Sequence, residues 1–275
     1  MVGMTSRILE RLDALRPQAP DTPLAQSLLL GFDTETTGLS ATKDAIVSAS
    51  LVLRDPAVGF DGDVNDAWLI NPHRHISAGA GAVNGFTDDF VISHGAEPVP
   101  TLDIIADAIG RAQELRIPIV AYNAPFDIHM LEGDLERWNL ADLPSRSGGS
   151  DLLVADPLVI DRFVSHRKGH RTLTATTEYY GVRPHGSFHD AATDTVATLD
   201  LLGPMTRLFP EVGALRLDEL MAWQSHAFAS WKEGYNAWAR DHGRRPRSDT
   251  WFDGVAGNGA EDAGTPGEAT VQDAE

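Results

Sequence analysis

The chain has 275 residues, which is enough for one large domain or two modest ones, each with a buried core. Its formal net charge of −18 argues against a broad basic surface for nucleic acid or for an anionic membrane, and the absence of cysteine excludes disulfides, zinc–thiolate sites and thiol nucleophiles. The start of the chain lacks the layout of a signal peptide, and no apolar run approaches the roughly 20 residues that a membrane helix needs. We therefore expect a soluble, cytoplasmic protein.

A helix and a stiff connector are predicted over residues 1–26. Apolar side chains recur at helical spacing over residues 5–16, with charged residues between them. Pro17, Pro20 and Pro23 then end the helix and stiffen the link to the first strand.

Two carboxylates stand one residue apart directly after an apolar run. The run is 28–30, and the polar turn that closes at Gly38 predicts a buried strand. Strand side chains alternate, so Asp33 and Glu35 point the same way. Two such carboxylates either share a proton or hold a cation, and Mg²⁺ and Mn²⁺ prefer oxygen ligands. On these residues alone, a solvated strand end is the alternative.

Two more strands and a loop are predicted next. Residues 45–53 and 66–70 have strand composition, with a turn over 55–63 between them, so three strands in a row predict an antiparallel meander. The glycine-rich stretch 73–85 is predicted to be a long loop, of a kind that is often functional.

Helices and strands then alternate to the end of an α/β domain over residues 27–208. The patterns predict helices over 101–115, 125–138, 158–164, 172–180 and 189–208, and strands over 117–122 and 152–155.

The composition changes beyond Pro210. Aromatic and apolar residues at three- and four-residue steps predict a helical extension over 209–240, whose stripe we expect to dock on the preceding domain or on a partner. Order is expected to fade from about Arg240, and residues 241–275 are predicted to form an acidic disordered tail.

Three further groups lie where predicted strands end and helices begin. Asp127 is expected in the first turn of a helix, where helix electrostatics alone favour a carboxylate. His189 and Asp194 open the long helix, where each taken singly is typical of a cap or of a solvated side chain.

Taken together, these groups follow a known order. Asp-x-Glu at 33 and 35, Asn-x-x-x-Asp at 123 and 127, and His-x-x-x-x-Asp at 189 and 194 resemble the three motifs of the DEDDh branch of DnaQ-like 3′–5′ exonucleases, the family of the proofreading epsilon subunit of bacterial DNA polymerase III. The resemblance covers about residues 27–208. The DEDDy branch would need tyrosine at Asp190, and Asn84 and Phe188 depart from the usual residues near the nucleotide pocket.

The resemblance implies a ribonuclease H-like α/β fold, in which a five-stranded mixed sheet is flanked by helices, with the C-terminal helical extension added. It also implies two divalent cations, Mg²⁺ or Mn²⁺, because four acids share a pocket only if cations neutralise them. In the family's pattern Asp33 serves both cations, Glu35 and Asp194 complete the first site, Asp127 supports the second, and His189 accepts a proton from the attacking water.

A pocket for the terminal nucleotide is implied as well. Its expected residues are Thr34, through its backbone, and Thr36, Gly85, Phe86 and Asn123. Phe86 is expected to pack against a base, and an ordinary loop anchor is the alternative for this residue.

One dense basic cluster is predicted to meet the substrate backbone, with a solvated surface loop as the alternative. Its members are Arg162, His166, Arg167, Lys168, His170 and Arg171. His73 and His75 are not expected to bind metal, because histidines in a loop without nearby carboxylates are usually solvent-exposed.

The predicted function is a metal-dependent 3′–5′ exonuclease that hydrolyses terminal phosphodiesters of single-stranded DNA to nucleoside 5′-monophosphates. The expected partners are single-stranded 3′ ends, with DNA favoured over RNA, and a polymerase or another replication or repair protein, but no membrane. Two alternatives stay open: a 3′–5′ exoribonuclease, and a non-catalytic polymerase-associated subunit.

Overall fold

One mixed sheet forms the centre of the molecule. The computed structural model describes residues 6–149 and 152–252, and the strands within them are β1 (Leu29–Thr36), β2 (Ile46–Arg54), β3 (Val64–Leu69), β4 (Ile119–Val120) and β5 (Val154–Ala155). Their spatial order is β3-β2-β1-β4-β5. β1 pairs antiparallel with β2, and β2 with β3, whereas β4 lies parallel to both β1 and β5. The predicted meander and five-stranded mixed sheet are confirmed.

Eleven helices accompany the sheet in the described part of the chain. They are α1 (Arg7–Asp13), α2 (Ala78–Asn84), α3 (Asp88–His94), α4 (Pro98–Glu114), α5 (Pro125–Arg137), α6 (Leu143–Arg146), α7 (Pro157–Val164), α8 (Leu173–Tyr180), α9 (Ala191–Leu208), α10 (Pro210–Gly213) and α11 (Leu220–Asp241). Across both described ranges, no helix combines the length and the hydropathy that a bilayer crossing requires.

Alternation along β1 divides the core into two parts. Leu30 and Phe32 belong to the core that is built with α1, α4 and α5, whereas Leu29 belongs to the core that is built with α9. Odd-numbered β1 residues therefore face α9, and even-numbered ones face α5.

The stretch 73–85 is not a long loop, because α2 occupies its second half. The Ser77 side chain accepts a hydrogen bond from the Ala80 N–H, and Gly85 ends the helix with a φ of 75°. These caps define α2, whose alanines and glycines give no amphipathic pattern. The short helices α3 and α6 were likewise not predicted.

The C-terminal extension packs on the sheet domain. The buried Gln224 side chain donates to the Val154 carbonyl at 2.6 Å and accepts the Asp156 N–H at 2.7 Å, so it pairs with β5 as a neighbouring strand would. In the aromatic stripe, Phe228 lies in the core and the Arg162 guanidinium lies 4.0 Å from the centroid of Trp231. The stripe therefore docks on the preceding domain.

Order does not fade at Arg240. α11 runs to Asp241, and Trp251 is only 5% exposed and lies in the same core as Phe228. The predicted tail is therefore wrong for residues 241–252, because apolar side chains at 251 and 252 anchor this segment. Residues 253–275 of that tail lie outside the described residues, as do 1–5 and 150–151.

Candidate active site

The end of β1 presents the acid pair. Asp33 lies opposite Ser50 of β2 and Glu35 lies opposite Ser48, before the register shifts at Thr36. Both carboxylates keep part of their surface exposed. Alternation turns both toward α9, so the two carboxylates point the same way, as the sequence predicted.

Close packing of α9 on β1 brings a third carboxylate to the pair. A Cβ added to Gly31 would lie 2.6 Å from Thr195 Cγ2 and 2.8 Å from Leu199 Cδ1, so this approach requires glycine. Asp194 lies in the first turn of α9, whose N-terminus is capped by the Asp190 side chain. The first turn of α9 therefore lies beside the end of β1.

Glu35, His189 and Asp194 form a cluster that suits a metal ion. One ligand atom from each lies within 4.8 Å of the others, and residues 6–149 and 152–252 contain no other such group of three. Asp194 Oδ2 accepts the His189 N–H at 3.2 Å, whereas Asp194 Oδ1 is buried without a hydrogen-bond partner among the described residues. A buried carboxylate oxygen of this kind fits a bound cation.

The fourth carboxylate reaches β1 from the opposite side. Asp127 is buried in the first turn of α5. Its Oδ1 accepts hydrogen bonds from the Thr34 N–H at 3.0 Å and from the Thr34 hydroxyl at 2.7 Å. Thr34 stands between Asp33 and Glu35 in the chain, so these bonds fix Asp127 beside the acid pair.

The turn before α5 is held by the buried carboxylate of Asp156, which was not predicted from the sequence. Asp156 is 1% exposed and accepts the N–H groups of Asn123 and Ala124, each at 3.1 Å. Asn123 has a φ of 66°, in a region that asparagine enters more readily than most residues. The available signal was Asp156 before Pro157, the pattern of an N-cap followed by proline at the first helical position.

Burial raises the pKa of all four carboxylates, and the charges of neighbouring carboxylates add to this rise for Asp33 and Glu35. Burial, followed by the charges of Asp127, Asp194 and Glu35, holds the pKa of Asp33 well above its usual range. Burial and the charge of Asp194 raise the pKa of Glu35 to about 8. Burial raises the pKa of Asp127 to about 7 against the two hydrogen bonds from Thr34, and it raises the pKa of Asp194 to about 6. Divalent cations are the counter-charges that such a cluster accommodates best.

The C-terminal end of α2 lies beside the end of β1. Asn84 donates to the Thr36 carbonyl at 3.1 Å and accepts the Phe86 N–H at 3.1 Å, which places Gly85 between these contacts. The Phe86 ring is half-buried in a small apolar cluster with Val47, Ile76 and Val91. Phe86 therefore anchors this segment, which was the alternative given from the sequence, while part of its ring stays exposed. Asn123 is exposed at the end of β4.

The basic cluster does not form one surface. Arg167 and Arg171 both pair with Asp161, which is fully buried, and the Arg162 guanidinium covers Trp231. The prediction of contacts with the substrate backbone is therefore wrong for these three arginines, because a buried carboxylate occupies two of them and a partly buried ring occupies the third. His166, Lys168 and His170 remain exposed.

His73 and His75 each face a carboxylate. His73 Nε2 lies 3.2 Å from Glu97 Oε2, and His75 Nδ1 lies 2.5 Å from Asp88 Oδ2. The assumption that carboxylates are distant is therefore wrong. Within the described ranges, neither histidine joins a group of three metal-ligating residues.

Comparisons with known proteins agree with this geometry. The Exonuclease family model (RNase_T) matches residues 30–202. The chain is similar to the PolC-type DNA polymerase III of Staphylococcus aureus, with 29% identity over 209 residues that cover 75% of this chain and 13% of that protein. The chain thus spans about an eighth of the length of the curated relatives it matches.

Solved structures share the fold at low sequence identity. A zinc-bound complex of Escherichia coli exonuclease I with single-stranded DNA matches with a TM-score of 0.57 and 20% identity, over 68% of this chain and 42% of that one. Exonuclease I from Methylocaldum szegediense matches with a TM-score of 0.55 and 19% identity, over 68% of this chain and 42% of that one.

Proposed function

This chain belongs to the Exonuclease family and is DnaQ-like, as its motifs predicted, and we propose that it is a metal-dependent 3′–5′ exonuclease that releases nucleoside 5′-monophosphates from single-stranded DNA. The observation that carries this proposal is the cluster of Glu35, His189 and Asp194, together with the buried Asp194 oxygen that has no hydrogen-bond partner among residues 6–149 and 152–252. A folded protein tolerates such an arrangement poorly unless a cation completes it.

Four carboxylates are proposed to hold two divalent cations, Mg²⁺ or Mn²⁺. We assign Asp33 to both cations, Glu35 and Asp194 to the first, and Asp127 to the second. When bound, the cations would offset the negative charge of the phosphate oxygens and would lower the pKa of a coordinated water. The rigid hydrogen bonds from Thr34 orient Asp127, in the way that outer partners orient metal ligands elsewhere.

His189 is proposed to act as the general base. Its side chain is exposed, and its backbone has a φ of 69°, an unusual conformation that the Asp194 contact helps to hold. The imidazole accepts a proton from the attacking water as the water oxygen bonds to the terminal phosphorus. The bond from phosphorus to the 3′ oxygen breaks, and that oxygen takes a proton from solvent.

The terminal nucleotide is proposed to bind between the ends of β1 and α2. We assign Thr36, Gly85, Phe86, Asn123 and the backbone of Thr34 to this pocket. The exposed part of the Phe86 ring offers a surface for packing against a base, which tolerates any sequence. Helices α5 and α9 both begin near the carboxylates, where the positive ends of their dipoles favour binding of the phosphate.

Single-stranded DNA is proposed as the substrate for two reasons. A protein with the same fold has been solved with single-stranded DNA, and the sequence relatives are PolC-type DNA polymerases. The same relatives support a polymerase or another replication protein as a partner. A partner would also supply basic surface that this acidic chain lacks.

The test uses 5′-labelled DNA and RNA oligonucleotides of one sequence, incubated with the full chain and Mn²⁺ or Mg²⁺. The expected result is a ladder of DNA products that shorten from the 3′ end, with nucleoside 5′-monophosphate as the released product and with no hydrolysis in EDTA. Faster hydrolysis of RNA would replace the DNA assignment with an exoribonuclease. Absence of hydrolysis of either polymer would contradict the proposed activity and favour a non-catalytic subunit.

A further inference from the structure

A line of hydrogen bonds connects the C-terminal segment to the turn before α5. The Trp251 indole N–H donates to Asp156 Oδ2 at 3.3 Å, and both side chains are buried. Trp251 lies 95 positions from Asp156 in the chain, so this contact exists only when residues 242–252 are packed on the sheet domain. The segment thereby reaches a residue that contacts the candidate active site.

Asp156 depends on this set of donors because its carboxylate has almost no access to water. Oδ1 accepts the N–H groups of Asn123 at 3.1 Å and Leu158 at 3.0 Å, and Oδ2 accepts the Ala124 N–H at 3.1 Å in addition to the indole. A buried carboxylate is retained only where such donors replace its hydration. Loss of one donor therefore weakens the hold of Asp156 on the whole turn.

The turn that Asp156 holds determines where Asp127 lies. Asp156 contacts the turn at both Asn123, whose φ is positive, and Ala124, so it fixes the backbone of two successive residues. α5 begins at Pro125 directly after the turn, and Asp127 sits in its first turn against Thr34. A shift of the turn would displace the carboxylate from its partner on β1.

The C-terminal segment is itself attached to α11 by polar contacts. The Asn236 side chain pairs with both backbone groups of Arg247, at 2.7 and 2.8 Å, and Lys232 Nζ donates to the Asp249 carbonyl at 2.5 Å. Gln224 on the same helix accepts the Asp156 N–H. The extension therefore holds Asp156 through its backbone and through its side chain.

We propose that Asp156 and Trp251 are positioning residues for Asp127, so that the C-terminal extension completes the metal site of the nuclease. This inference rests on the proposed function only in taking Asp127 as a metal ligand. It assigns to residues 242–252 a part in the active site that their distance in sequence from the three motifs does not suggest.

The experiment compares the full chain with Trp251→Phe, which keeps the aromatic ring and removes the indole N–H, and with Asp156→Asn. Trp238→Phe is the matched control, because the Trp238 ring contacts Tyr235 and stacks on His242 in the same extension. Amide hydrogen exchange is measured without metal at the four N–H groups of residues 123–127, since Pro125 has none. Mn²⁺ binding is measured by titration calorimetry, and the Mn²⁺ concentration for half-maximal hydrolysis is measured separately from KM for the oligonucleotide.

In Trp251→Phe we expect exchange at 123–127 to be about threefold to tenfold faster, since one hydrogen bond to the carboxylate is lost. Mn²⁺ affinity should fall by a similar factor, and by about tenfold to a hundredfold in Asp156→Asn, while KM for the oligonucleotide changes by less than about twofold. The control should match the wild type in exchange and in metal affinity. A Trp251→Phe protein with wild-type exchange and wild-type Mn²⁺ affinity would overturn the proposal, even if Asp156→Asn failed to fold.

The two proposals fail in different ways. If the wild type hydrolyses DNA and the variants match it, the positioning proposal is wrong and the proposed function stands. If the wild type hydrolyses no polymer but Trp251→Phe loosens the turn and weakens Mn²⁺ binding, the positioning proposal is supported and the proposed function is wrong.

Discussion

Two hydrogen bonds from Thr34 converge on one oxygen of Asp127, from the backbone N–H at 3.0 Å and from the side-chain hydroxyl at 2.7 Å. Because Asp33 and Glu35 flank Thr34 in β1, this contact joins the carboxylate of α5 to the acid pair of the strand. Both donors belong to the polypeptide, so Asp127 has orienting partners of its own within the fold.

Thr34→Val removes the hydroxyl while keeping the branched shape and the backbone N–H. We expect hydrolysis to slow by about tenfold, because Asp127 loses one of its orienting partners, with a loss of about 1 kcal/mol in the free energy of unfolding. Single-turnover hydrolysis and urea unfolding measure the two effects. Thr206→Val is the control, since that hydroxyl donates to the carbonyls of Leu202 and Gly203, both within α9. Equal rates for the two variants would show that the hydroxyl has no role in the site.

The metal-free protein should become less stable as pH rises from about 4 to 8. The folded-state pKa values of Glu35, Asp127 and Asp194 are raised to about 8, 7 and 6, above the values near 4 of an unfolded chain. The folded state therefore binds more protons in this window, and the stability that these groups contribute is present below pH 4 and is lost as pH rises through the folded pKa values.

The pH-dependent contribution of Glu35 is measured by calorimetry in EDTA, where the Tm values of the wild type are compared with those of Glu35→Gln over the same pH range. The decline of Tm with pH should be shallower in the variant, because one titrating carboxylate is gone. Mn²⁺ should raise the Tm of the wild type more at pH 8 than at pH 5, since the cation competes with protons for the same oxygens. Parallel Tm profiles for wild type and variant would contradict the pKa shift of Glu35.

Gly31→Ala tests the close approach of α9 to β1. The new methyl group would meet Thr195 and Leu199 at under 3 Å, so we expect a loss of about 1–3 kcal/mol in unfolding free energy, together with weaker Mn²⁺ binding as Asp194 moves away from Asp33. Gly234→Ala is the control, because a Cβ there meets open space in the middle of α11, and this variant should gain up to about 1 kcal/mol. A Gly31→Ala protein as stable as the wild type would show that α9 is free to move.

The sequence predicted the parts of this structure that local patterns encode. The strand that carries Asp33, the helix starts at Asp127 and Asp194, and the antiparallel meander all follow from alternation, helical spacing and turn residues. It did not predict α2, whose caps at Ser77 and Gly85 are informative but whose interior lacks an apolar face.

Long-range pairings were the other part that the sequence could not supply. Asp156 and Trp251 are far apart in the chain, and neither belongs to a motif, so only the folded geometry shows that they meet. The arginines at 167 and 171 looked like a basic surface because charge in a sequence does not show which partner is buried. Their shared Asp161 lies several residues earlier on α7 and has no exposed surface.

Arg167→Ala should therefore lower the free energy of unfolding. Removing the guanidinium leaves the buried Asp161 with fewer donors, so we expect a loss of about 3 kcal/mol in unfolding free energy. Lys168→Ala, at an exposed neighbour, should leave stability within about 0.5 kcal/mol of the wild type. Urea unfolding of both variants measures this difference. If Arg167→Ala were as stable as Lys168→Ala and instead changed the salt dependence of hydrolysis, the arginine would belong to the substrate surface.

The most direct test of the proposed metal centre is single-turnover, Mn²⁺-dependent hydrolysis of 5′-labelled single-stranded DNA by the wild type, Asp33→Ala and Asp127→Ala. Asp33 is assigned to both cations and Asp127 to one. We therefore expect Asp33→Ala to abolish hydrolysis and Asp127→Ala to retain a low but measurable rate of hydrolysis. Hydrolysis by Asp33→Ala at or above the rate of Asp127→Ala, or its absence in the wild type, would contradict the assignment of these carboxylates.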